Sequence, residues 1–170
     1  TMGSEAVSGA GSGNYGTHAQ ALNSYPYEQT PELLVKNMIE DYDWNHGRHD
    51  GLFKDTLSAI QTNQLTDLAA AIAHFVDESK KVSQDKRIYF QVAREFAPHY
   101  GGNSYTIDLG AFMRGVGQNT VFSSSLRNAA NAVVAKLETS AVAKSASEMY
   151  ADGLSIYYPR WGGAGDLYTN

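Results

Sequence analysis

Three observations in the sequence predict an α/β fold, a mainly parallel sheet covered by helices. Segments with apolar residues every three or four positions alternate along the chain with short segments that read as strands, the order that places helices on the faces of a sheet. The alternation continues over all 170 residues without an internal repeat, and that length suits one domain around one core. Near the end, Gly153-Leu154-Ser155-Ile156-Tyr157-Tyr158-Pro159 reads as a strand whose apolar residues face that core. Pro159 stops it, because proline has no amide hydrogen for the next ladder bond.

The remaining elements are read in order. Residues 1–6 suit a short strand, and the glycine and serine cluster over 7–16 suits a loop that turns tightly. A short helix is expected over 17–24, broken by Pro26. Thr30, Pro31 and Glu32 start the next helix by cap, fixed dihedral and dipole complement together. Leu34, Met38 and Tyr42, flanked by Val35 and Ile39, give it an apolar stripe, and the polar run over 43–51 ends it. A strand is expected over 52–60.

Thr62 or Asn63 caps a helix that reaches Lys81, with Leu65, Leu68, Ile72 and Phe75 as its apolar repeat. A further helix over 84–97 carries Ile88, Val92 and Phe96 at four-residue intervals, and Pro98 closes it. Residues 99–106 read as loop. Asp108 stands at an N-cap position before a short helix containing Leu109, Phe112 and Met113, ended by Gly115 and Gly117. Thr120 opens a longer helix whose buried stripe is Leu126, Ala130, Val133 and Leu137. A strand over 142–150 leads into the closing stretch, and residues 160–170 form a glycine-containing tail.

Composition narrows the function classes. With 42% hydrophobic and 18% charged residues and a net charge of -5, the chain suits a folded domain and lacks the basic footprint of a nucleic-acid binder. It contains no cysteine, so these residues supply no disulfide, no thiolate metal site and no cysteine nucleophile. No apolar run approaches the roughly 20 residues that span a bilayer, so no membrane span is expected. Thr1-Met2-Gly3-Ser4-Glu5 reads as the inside of a domain, so a processed or partial chain is expected.

Several patterns carry both a chemical and a plain reading. Gly11-Ser12-Gly13-Asn14-Tyr15-Gly16 matches a dinucleotide-binding pattern, but the acidic strand end expected about 20 positions later falls in a helix instead. A surface loop explains the same glycines. His46, His49 and Asp50, with Asp41 and Asp43 nearby, offer nitrogen and oxygen donors to a divalent metal, and equally suit a solvated helix exit. His74 reads as a packed or surface histidine. The run from Asp77 to Arg87 reads as a solvated junction, and Glu28, Glu32, Glu40 and Asp41 show no acid and base pairing. Tyr157, Tyr158, Trp161 and Tyr168 suit either an interaction surface or the chain's own core.

Five segments taken together resemble the C-terminal part of the clostripain-like cysteine peptidases, relatives of the caspases and gingipains. They are Gly3-Ser4-Glu5 with the glycine-rich loop and Tyr15; Thr30-Pro31-Glu32-Leu33-Leu34; Thr56-Leu57-Ser58-Ala59-Ile60 leading into Leu65 and Leu68; residues 105–112 with Asp108-Leu109; and Gly153 to Pro159. The resemblance spans nearly the whole chain and implies a caspase-like three-layer α/β/α sandwich. It implies a histidine and cysteine dyad on strand ends upstream of these residues, cutting after a basic residue, so this chain holds no catalytic residue itself. The implied partners are the N-terminal half of the same precursor and a peptide or protein substrate, in an extracellular or periplasmic setting. Some relatives require calcium, and no residue here is assigned to it. The loop after Glu5 borders the substrate pocket in relatives, which points to Ser4, Glu5, Ser8 and Gly11 as substrate-binding residues. Where the family commonly carries acids there, this chain has Ser8, Gly9, Ala10 and Gly11. The alternative is a non-catalytic structural or assembly subunit of the same architecture.

Overall fold

In a computed structural model of the chain, the structure describes residues 2–3, 15–25, 27–28, 30–46, 57–100, 105–144 and 152–159. These fold as helices packed with two small antiparallel sheets, which corrects the expected parallel sandwich. The first sheet has the order β1 (Met2–Gly3), β2 (Ser58–Ile60), β5 (Ala141–Lys144), and the second has β3 (His99–Tyr100), β4 (Thr106–Asp108), β6 (Ser155–Tyr157). Every pairing in both is antiparallel. The reason is in the connections: two helices separate β1 from β2, and β3 leads to β4 with no described helix between them, so paired strands are not joined by the single crossover helix that parallel neighbours need.

The helices are α1 (Tyr15–Ser24), α2 (Pro31–His46), α3 (Leu65–Lys80), α4 (Ile88–Phe96), α5 (Leu109–Gln118) and α6 (Ser124–Ser140). α6 carries the core. Leu126, Ala130, Val133 and Leu137 are buried as the periodicity requires, and the helix packs along both α3 and α5. Its cap is Ser123, whose hydroxyl accepts from the Leu126 amide at 3.2 Å; the helix therefore starts after Thr120. Leu68 and Phe75 of α3, Ile107 of β4 and Phe112, Met113 and Val116 of α5 complete the centre. Phe75 meets Phe90 and Phe112 edge-on, with ring centroids 6.4 Å apart in each case, a favoured aromatic geometry.

Other boundaries differ for local reasons. A 3-10 turn over Thr62–Gln64 runs straight into α3, so neither Thr62 nor Asn63 caps it. A second such turn, Gln84–Lys86, precedes α4. Residues read as loop after Pro98 pair as β3 and β4. Gly115 and Gly117 do not end α5; they are where it is approached closely, a Cβ on Gly115 lying 3.2 Å from Ala93 and one on Gly117 meeting the Asn131 side chain. α2 continues through Asp43 to His46. Of the strand expected over 52–60, residues 57–60 are described and 58–60 form β2, and of that over 142–150, β5 begins one residue earlier, at Ala141, and is described to Lys144.

α4 inverts its expected face. Ile88, Val92 and Phe96 are 52%, 41% and 85% exposed, while Ala93, Arg94 and Ala97 are buried and Tyr89 and Phe90 pack on the core.

Candidate functional site

The polar chemistry of the interior gathers along residues 152–158. Asp108 caps α5, its Oδ1 accepting from the Ala111 amide at 2.6 Å, as its place in the sequence predicts. Its other oxygen, Oδ2, accepts from the Asp152 amide at 2.8 Å. One fully buried carboxylate thus starts a helix and holds a distant segment at once.

Asp152 follows, with its side chain between two cations. Oδ1 accepts from Lys144 Nζ at 2.7 Å, and Oδ2 pairs with Arg114 of α5. The carboxyl lies against Gly110, where any Cβ would overlap it. Gly153 has φ +96°, a left-handed conformation open to glycine, and its carbonyl accepts from the Ser58 hydroxyl of β2 at 2.6 Å. The Leu154 carbonyl accepts from the Leu109 amide at 2.9 Å. The segment therefore ties the first sheet to α5 before entering the second sheet as β6.

Beyond β6, Tyr158 is held by both of its backbone polar groups. Its amide donates to the Tyr105 carbonyl at 2.7 Å, and its carbonyl accepts from Arg94 Nε at 2.6 Å. Arg94 is wholly buried, and its Nη1 also meets Glu95 Oε1 at 2.8 Å and His99 Nε2 at 3.1 Å. A guanidinium only donates, so that histidine nitrogen acts as the acceptor. Burial raises the Tyr158 phenol above its ordinary range, against the pull of the Arg94 charge.

These charges are consumed by structure. Asp108 and Asp152 accept from amides and cations, and Arg94 donates to a carbonyl, a carboxylate and an imidazole; among the described residues none is presented to a cavity with a hydroxyl nucleophile beside it. A space of about 260 Å³ beside Asp152 is lined by Glu138, the β5 strand and Asp152 itself. A histidine and carboxylate pair lies elsewhere: His18 Nε2 of α1 is 3.0 Å from Asp41 Oδ2 of α2.

The expected substrate-binding residues Ser4, Glu5, Ser8 and Gly11 lie outside the described residues, as do His49, Asp50, Trp161 and Tyr168. Of the glycine pattern over 11–16, Tyr15 and Gly16 begin α1. Asp41 pairs with His18, the side chains of Asp43 and His46 lie outside the described ones, and among the described residues no three His, Asp or Glu side chains converge on one point. His74 stands exposed on α3. Among the described residues no helix is long and apolar enough to cross a membrane. Sequence reasoning passed over Arg94, Arg114, Lys144 and the side chain of Asp152. The Asp-Gly step at 152–153 was the available signal, an acid beside a residue that tolerates a left-handed turn. No family model matches the sequence, and no curated protein matches it.

Proposed function

We propose that this chain is a non-catalytic portion of a clostripain-like cysteine endopeptidase, contributing scaffold and part of the substrate wall while the cysteine and histidine come from another segment. The observation that carries the reading is the closing stretch Gly153 to Pro159, the most family-like of the five segments. In the fold it is also a hub, bonded to β2, β4, α4 and α5. Two further facts support it: these residues include no cysteine, and the interior charges are engaged in structural bonds.

A second reading, an assembly subunit without catalysis, is favoured by the exposed Ile88, Val92 and Phe96 face of α4, an apolar stripe of the kind that marks protein contacts. Labelling of native material with an arginine- or lysine-bearing, thiol-directed peptide probe separates the two. The peptidase reading predicts label on a cysteine of a polypeptide that accompanies this chain or precedes it in one precursor, found by intact mass and peptide mapping. Native material without label, and without any companion or upstream sequence, defeats it.

A further inference from the structure

The N-terminal half of α4 borders a cavity that the proposed function does not use. It holds about 490 Å³, within the range of small-molecule sites, and is lined by Ser79, Lys80, Arg87, Phe90, Gln91, Tyr158 and Pro159. Its walls divide by chemistry. Phe90 and Tyr158 supply the aromatic part, and both are fixed from behind: Phe90 stacks on Phe122 at 4.7 Å between centroids, and Tyr158 leans on Phe112 at 5.2 Å. The polar part holds the ends of two cations, and no carboxylate belongs to the described lining.

The cations differ in engagement. Lys80 Nζ is shared with Asp77 at 2.8 Å. Arg87 has one partner, the Val82 carbonyl at a long 3.4 Å from Nε, and no carboxylate pairs with it among the described residues. That leaves the outer edge of its guanidinium, the edge that recognises carboxylates by two parallel hydrogen bonds, open to a ligand. In a chain of net charge -5, a cation-lined wall beside two anchored rings is a local reversal of sign.

We infer that this cavity binds a small aromatic carboxylate, its ring between Phe90 and Tyr158 and its carboxylate on Arg87, with Lys80 adding charge at the rim. That group is presented by a free aryl acid and by a peptide ending in an aromatic residue, so both are tested. The 170-residue chain is titrated by saturation-transfer NMR with 4-hydroxyphenylacetate, N-acetyl-tyrosine and N-acetyl-tyrosinamide, and repeated with the Arg87→Gln and Lys80→Gln variants. Both positions are exposed, so the variants fold. The expected result is binding of at least one of the two acids and not of the amide, weakened about tenfold by Arg87→Gln and less by Lys80→Gln. Which acid binds identifies the source of the ligand. Equal binding of the amide, binding unchanged by Arg87→Gln, or no binding of either acid up to about 10 mM overturns the inference.

Discussion

α6 and α2 are of nearly equal length, 17 and 16 residues, and live in different surroundings. Along α6 the residues at three- and four-position spacing all reach the centre: Leu126, Ala129, Ala130, Val133 and Leu137. Along the part of α2 whose side chains are described, Ile39 alone is buried, and Leu33 is 41% exposed. α1, which packs on α2, buries no described side chain. Both helices have caps and stripes in the sequence. What separates them is how many partners among the described residues close over the stripe, and helix stability in proteins comes mostly from that packing.

The comparison is sharpest where a methyl-sized change is largest. Leu126→Ala, at a fully buried site, is expected to cost about 2–5 kcal/mol, while Leu33→Ala costs less than about 1 kcal/mol, read as a shift in urea midpoint at unchanged slope. Similar losses at the two sites break the contrast. Next comes the junction. Asp108→Ala removes a cap and strands the buried Asp152 amide, an expected loss of about 2–3 kcal/mol in the same measurement. Arg94→Met keeps an apolar stem but leaves the Tyr158 carbonyl without its donor, for about 1–3 kcal/mol.

The smallest effect is alkaline. Because burial raises the Tyr158 phenol, the fold favours its neutral form, and the folded value lies above the unfolded one. The contribution is complete below the ordinary tyrosine range and is lost as pH rises through the raised folded value. Tyr158→Phe is expected to make the alkaline fall in melting temperature shallower than in the parent chain. An unchanged alkaline limb contradicts the assignment.

How much of this was legible follows the same line. The stripe of α6 and the Asp108 cap were readable because each is a local pattern with one solution. α4 was misread because its sequence offers two apolar stripes, one through Ile88, Val92 and Phe96 and one through Tyr89, Phe90, Ala93 and Ala97. A short helix at a surface buries one of them, and the charged Arg94 within the second concealed it. Strand direction was not legible at all. It depends on which distant segment lies alongside, as when Ser58 pairs with Lys144, and strands of three residues carry little periodic signal. The hairpin of β3 and β4 had a signal, Gly101-Gly102-Asn103 between residues that suit strands, which a loop reading absorbed. The expected pocket residues Ser4, Glu5, Ser8 and Gly11 fall outside the described residues, while the Asp108 carboxylate accepts from the Asp152 amide across 44 positions.

Native-state hydrogen exchange, read amide by amide, tests most directly the claim that order is concentrated around α5, α6 and the 152–158 hub. The account predicts that amides of α6 and of Leu109, Asp152 and Tyr158 exchange only through global unfolding, with α1 and α2 opening at much lower free energy. Uniform protection from α1 to α6, or early exchange at Asp152 and Tyr158 while α2 stays protected, contradicts it.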